Sequence, residues 1–227
     1  SIPTIVHLIR RFKKVNVDHI ILCTTSLEED DILCDIAKNE GIDFYRGSVK
    51  DKLVRWQGAA NKFNIDFFVT ADGDDTFCEP YLIDLAFNQY ERNNSSYIEA
   101  EGIICGAFTN GISANALNRV CSIKGTEDTE MIWPYFKETN LFKIEQLERV
   151  QKEFYRDDIR LTLDYQEDLD FMNALFARRN RESEYLSVLE IISIIEKEKH
   201  LLDINYFRHQ EWVKNQKENT KLILNET

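Results

Sequence analysis

Long apolar runs are missing from this 227-residue sequence. The greasiest stretches, Ile20-Ile21-Leu22-Cys23 and Phe67-Phe68-Val69, are strand-sized, well short of the roughly 20 residues a membrane helix needs. Positive charge is also scarce: 28 Lys and Arg against 40 Asp and Glu leave a net charge of −12. Such a surface repels phosphate backbones, which argues against sequence-independent binding to nucleic acid. Glycine and proline number only 8 and 3, and the composition excludes disordered, collagen-like and mucin-like classes. The five cysteines (Cys23, Cys34, Cys78, Cys105, Cys121) are odd in number and form no C-x-x-C pair. Neither a zinc site nor a disulfide framework is indicated, and buried thiols in a reducing compartment are expected. GxxxxGKS/T, GxGxxG, GxSxG and HExxH are all absent, and the enzyme classes they mark lose support. The four histidines, His7, His19, His200 and His209, lie far apart in sequence and read as structural or surface residues. With no signal peptide at the start, the expectation is a soluble, cytoplasmic protein.

What is present is ordinary globular material, 43% hydrophobic, 30% charged and 11% aromatic. The length fits one large domain, or a domain with an appendage. After Pro3, the residues Ile5, Leu8, Ile9 and Phe12 recur at helical spacing and end in a basic cluster, both helix boundary signals. The run 19–25 reads as a buried strand. Ser26 then reads as the N-cap of a helix closed by Gly41. A short strand, 42–45, leads through Arg46-Gly47-Ser48 into a helix carrying Leu53, Trp56, Ala60 and Phe63. The strand 65–70 breaks into Ala71-Asp72-Gly73-Asp74-Asp75, and Pro80 opens the next helix. Further strand-like runs fall at 102–108, 141–147 and 159–163, with a clear helix over 166–179. Strands alternating with helices predict an α/β protein with a mostly parallel sheet covered on both faces, with some antiparallel pairing over 140–165. Past Arg178-Arg179-Asn180-Arg181, a stripe of Leu186, Leu189, Ile192 and Ile195 and a second stretch at 206–217 read as a helical extension. The domain organisation is thus 1–180 and 181–227, the second part packing on the first or forming a homodimer.

Ligands of open α/β sheets bind at the carboxyl ends of strands. There the sequence puts three carboxylates, Asp72, Asp74 and Asp75, within four residues. Such crowding is costly unless a cation offsets it, and Mg²⁺ held by carboxylates and substrate phosphates is the natural complement. A solvated acidic turn is the alternative. Asp164 ends the run 159–163 and could face the same ion from a second strand, or serve as a helix N-cap. Arg46 and Ser48, between a strand and a helix, suit a phosphate or a nucleotide, or form an ordinary turn.

Together these segments resemble the cytidylyltransferases that make CMP-activated sugar acids: CMP-Kdo synthetases, acylneuraminate cytidylyltransferases and the spore-coat polysaccharide proteins. The resemblance is carried by Thr4 to Arg11, Ile20 to Thr25, Phe44 to Ser48, Ala71 to Pro80 and Arg160 to Leu169, in matching order over about residues 4–180. It implies a three-layer fold of nucleotide-diphospho-sugar transferase type and the reaction CTP + sugar acid → CMP-sugar + pyrophosphate, assisted by Mg²⁺. Carried across, Asp74 and Asp164 would be catalytic and hold the metal. Arg46, Ser48 and Asp72 would lie near the nucleotide, and Glu130, before Trp133-Pro134-Tyr135, near the sugar. Two departures stand out. The family's opening strand and basic, glycine-containing loop, which cradles the triphosphate, have no counterpart here; the chain begins Ser1-Ile2-Pro3 without Met, and an upstream start is expected. Where spore-coat relatives read Gly-Asp-Cys-Pro, this chain has Gly73-Asp74-Asp75-Thr76. A sugar-1-phosphate nucleotidyltransferase, a related sugar transferase, and a non-catalytic nucleotide- or sugar-binding homologue are the alternatives.

Overall fold

A computed structural model describes residues 2–180, 182–183 and 185–225; Ser1 and Arg181, which entered the sequence expectations, lie outside them. The helices are α1 (Thr4–Phe12), α2 (Asp31–Glu40), α3 (Lys52–Phe63), α4 (Pro80–Asn93), α5 (Ala114–Ile123), α6 (Trp133–Lys137), α7 (Gln166–Arg178), α8 (Val188–Lys197) and α9 (His209–Asn219). The strands are β1 (Ile21–Thr25), β2 (Asp43–Gly47), β3 (Phe67–Thr70), β4 (Tyr97–Glu99), β5 (Asn110–Ser113) and β6 (Ile144–Gln146). Among the described residues no helix is long and apolar enough to cross a membrane.

The strands form a parallel β1–β2 pair and a sheet in the order β3-β5-β4-β6. In that sheet β6 runs parallel to β4, while β5 is antiparallel to both its neighbours. Successive residues point to opposite faces of a strand, and each face of this sheet meets its own helices. Ile98 faces a core built with Phe67, Leu82, Phe171 and Ile191; its neighbour Tyr97 faces one built with Leu53, Ile112, Leu117 and Tyr135. The result is the expected three-layer α/β arrangement.

Several elements differ from expectation. The antiparallel strand is β5, not part of 140–165. The runs 102–108 and 159–163 are not strands and pair through an isolated Cys105–Arg160 bridge, because Gly102 and Gly106 turn the first run with φ of 76° and 85°. Ser26 does not cap α2. Asp30 instead accepts hydrogen bonds from the Thr24 hydroxyl (2.9 Å) and the Thr25 N–H (3.1 Å), drawing residues 28–30 into a tight turn before the helix starts. In α8 the buried stripe is Val188, Ile191 and Ile195, with Leu189 exposed. That stripe joins the same core as Phe171 and Leu175 of α7. A buried ion pair fastens the segment further: Arg11 binds Glu79 (3.1 Å) and the Leu186 carbonyl, and Glu79 accepts the Val188 N–H (2.8 Å). Of the cysteines, Cys34 and Cys78 are buried and the other three half-buried.

Among the described residues β1 pairs only with β2 and β3 only with β5, so each leaves one edge unpaired. Both edges, with Leu8 of α1 and Trp56 of α3, line a single cavity of about 1600 Å³. A slot therefore lies between these two edges, and it opens into the acidic loop after β3.

Glu145 of β6 is clasped by the end of α4 and the residues beyond it. It accepts hydrogen bonds from Gln89 (3.3 Å), Asn93 (3.1 Å) and the Ser95 hydroxyl, and pairs with Lys143 (3.0 Å). Burial pushes its pKa up, but these donors outweigh it and hold the carboxyl down at about 2, against an ordinary 4.5. A folded-state pKa below the unfolded one stabilises the fold above pH 4.5 and ceases to do so as pH falls toward 2. Glu145→Gln should lower stability at pH 7 and flatten the acid limb between about pH 5 and pH 2, read by urea unfolding across that range. An unchanged acid limb would contradict the clasp.

Candidate active site

Asp72, Asp74 and Asp75 follow β3 in a loop whose backbone is fixed by hydrogen bonds within it and to residue 107. Asp75 N–H donates to the Asp72 carbonyl (3.0 Å), Thr76 N–H to Asp74 (3.0 Å), and Glu79 N–H to Ala107 (2.8 Å). One carboxylate oxygen from each of the three aspartates lies within 4.8 Å of the others. Lys52, on the first turn of α3, reaches Asp72 at 2.7 Å. Asp75 is 8% exposed and accepts the Thr109 hydroxyl at 3.2 Å. Burial first, then Asp74 and Asp72, push its pKa up to about 8. Asp74 is raised as well, by burial, then Asp72, with Asp164 contributing.

That last influence reflects a second loop laid against the first. Leu163 N–H donates to the Asp74 carbonyl at 3.1 Å, and Leu161 N–H to the Cys105 carbonyl at 2.8 Å. Gly106 is required where these segments touch: a Cβ there would stand 2.7 Å from the Leu161 carbonyl carbon. Asp164 is therefore brought beside Asp74, although it is not in the 4.8 Å group of three. Its Oδ2 accepts Arg160 Nη2 (2.5 Å) and the Thr162 hydroxyl (3.3 Å).

The 1600 Å³ cavity is lined by Asp72, Asp74, Asp75, Asp164 and Glu130, so four of the six expected site residues share one cleft. Glu130 is exposed, on the segment before α6. Arg46 and Ser48 do not line the cleft. Arg46 closes the turn after β1, donating to the Thr25 carbonyl (2.9 Å), the Leu27 carbonyl (2.6 Å) and Asp31 (2.5 Å). Ser48 Oγ accepts the Asp51 N–H (3.1 Å) ahead of α3. Sequence reasoning passed over Lys52, Arg160, Asp168 and Asn205. Asp168 carried a faint signal, standing four residues after Asp164 and eight after Arg160.

The donor set fits a hard divalent cation. Carboxylate oxygens are the ligands Mg²⁺ prefers, and a cation would offset the repulsion among Asp72, Asp74 and Asp75 that adds to burial in raising the Asp75 pKa.

The sequence profile of a family described as cytidylyltransferase matches residues 1–211. An uncharacterized protein of Methanocaldococcus jannaschii is 30% identical over 201 residues, 87% of this chain and 82% of its own. The spore coat polysaccharide biosynthesis protein SpsF of Bacillus subtilis is 27% identical, over 84% of this chain and 81% of its own. Among solved structures, a cytidylyltransferase from Leptospira borgpetersenii superposes with a TM-score of 0.79 at 21% identity, covering 89% of this chain and 86% of that one. A 4-diphosphocytidyl-2C-methyl-D-erythritol synthase from Anaerococcus prevotii gives 0.54 at 16% identity, covering 78% and 87%. These likenesses establish a nucleotidyltransferase fold.

If the aspartate loop holds Mg²⁺, the ion stabilises the folded chain by mass action. At ten times its dissociation constant it should contribute about 1.4 kcal/mol and raise Tm by roughly 3–6 °C. Thermal melts with and without Mg²⁺ test this, with Asp74→Asn expected to erase most of the shift. A Tm indifferent to Mg²⁺ in the unaltered chain would contradict the fit.

Proposed function

The chain belongs to the cytidylyltransferase family, and from that premise we propose that it transfers the cytidylyl group of CTP to a 2-keto-3-deoxy sugar acid, for the making of a surface polysaccharide or glycan. The observation that carries this reading is the meeting of the Asp74 and Asp164 loops in one cleft. In the reaction, the anomeric hydroxyl oxygen of the sugar acid bonds to the α-phosphorus of CTP. The bond from that phosphorus to the pyrophosphate oxygen breaks, and the hydroxyl proton is released.

Asp74 and Asp164 would hold Mg²⁺, with Asp72 and Asp75 beside them. When bound, the ion supplies neutralising charge for the triphosphate and the departing pyrophosphate. Lys52 orients Asp72, and the partly buried Thr109–Asp75 contact holds the loop. Glu130 would face the sugar; it lines the cleft, as Trp133 does. The sugar-acid class is supported by the resemblance over residues 4–180 and by the name of the Bacillus subtilis relative, which ties that protein to polysaccharide biosynthesis. A homodimer through 181–227 belongs to the same reading, with Leu189 and Phe207 exposed for a partner.

Of the cations lining the cleft, Lys52 is paired with Asp72 and Lys137 with Glu99 and Glu101, while Arg55 donates to the Ser48 carbonyl and keeps its charge. A triphosphate needs more positive charge than Arg55 supplies. The slot between β1 and β3 suits a strand followed by the basic loop that the resemblance implies, and that loop would emerge at the acidic cluster. The same observation favours the second reading, a non-catalytic homologue, should no such loop reach the cleft.

In the full-length protein, Asp74→Asn removes a metal ligand and no core volume. Pyrophosphate release from CTP and a sugar acid should fall by at least roughly 10²-fold, with the metal-free Tm kept. Full activity in the variant would sink the metal assignment; no release from the unaltered protein would favour the binding-only homologue.

A further inference from the structure

Asp168 lines no part of the cleft, yet it is fully buried and every contact it makes leads toward Asp164. Its Oδ1 accepts Arg160 Nε (3.0 Å) and Asn205 Nδ2 (2.9 Å). Its Oδ2 accepts the backbone N–H groups of Asp164 (2.9 Å) and Tyr165 (3.0 Å). Asn205 Nδ2 also donates to the Arg160 carbonyl at 3.1 Å. Arg160 and Asp168 are 0% exposed and Asn205 is 1% exposed. The Arg160 guanidinium is flanked by the rings of Tyr165 and Trp212, their centroids 5.5 and 5.2 Å away. Asn205 therefore ties together the two charged residues that hold Asp164, one by its side chain and one by its backbone.

We propose that Asn205, carried between α8 and α9, is a positioning residue for the acidic loops. It acts through Arg160 and Asp168. Those residues fix the backbone over 163–165, and with it the Asp164 carboxylate and, through the Leu163 N–H, the Asp74 carbonyl. The cleft is then incomplete without the segment after residue 180, which the sequence presents as an appendage. This inference rests on the reading of Asp74 and Asp164 as metal-holding residues. Partners that orient metal-ligating groups typically carry a 10–100-fold share of metal affinity.

The test is Mn²⁺ binding to the full chain, followed by the loss of the free-ion paramagnetic signal. Unaltered protein is compared with Asn205→Ala and Leu201→Ala. Leu201 is 2% exposed in the turn just before Asn205 and packs in the main core, so its truncation loosens the segment without touching the network. Asn205→Ala should weaken Mn²⁺ binding by roughly 10-fold or more, while Leu201→Ala keeps the unaltered affinity despite a lower Tm. Asn205→Gln, which keeps the amide but moves it by one methylene, should weaken binding in the same direction, and serves if the alanine variant does not fold. Unchanged affinity in the Asn205 variants, or an equal loss in Leu201→Ala, overturns the positioning role alone. No Mn²⁺ binding by the unaltered chain removes the metal reading, and this inference with it.

Discussion

Three carboxylates within 4.8 Å of one another are the constraint to which the rest of this architecture answers. At an effective dielectric near 20, two like charges 4 Å apart repel by about 4 kcal/mol, a large part of the 5–15 kcal/mol that holds a domain together. The fold meets that cost in two ways. It buries Asp75, which raises that carboxyl's pKa to about 8, and it sets Lys52 on Asp72. What remains around Asp74 is the local excess of negative charge from which the proposed Mg²⁺ site follows. A loop under such repulsion has to be held from outside, and it is: Leu163 reaches its backbone at Asp74, and the Ala107 carbonyl its far end at Glu79.

The holding elements come from far along the chain. Gly106 lets one segment lie directly on Leu161. Arg160 and Asp168 form a buried pair (3.0 Å) beneath Asp164, and Asn205 closes it from a segment 37 residues further on. Burying an ion pair gains little net stability, but removing one partner is expensive; here the pair's clearest consequence is where it puts the Asp164 backbone. The slot between β1 and β3 belongs to the same logic. Two strand edges left unpaired among the described residues are a liability in isolation, and in the proposed reading a strand fills them and delivers positive charge to the acidic loop.

Much of this was legible in the sequence because it is local. Helical periodicity gives α1 and α7, Gly41 ends α2 at φ 66°, and three aspartates at the end of β3 stand out in any reading. Three-residue β4 is too short to announce itself. β5 contains Asn110-Gly111, a pair that signals turns; yet Gly111 sits mid-sheet because a Cβ there would stand 2.6 Å from the Phe67 ring. Arg46 looked free to meet a nucleotide, but its partners are two carbonyls and Asp31, across the β1–α2 turn. Asn205 gave no sign at all, since its partners at 160 and 168 are adjacent only after folding.

The most direct test of the central claim is pyrophosphate release by the full-length protein in Mg²⁺. Each of the four nucleoside triphosphates is crossed with Kdo, N-acetylneuraminate, legionaminate and sugar-1-phosphates. The account predicts release with CTP and a sugar acid alone. Release with another nucleotide or with a sugar-1-phosphate, or silence in every pairing, would contradict it.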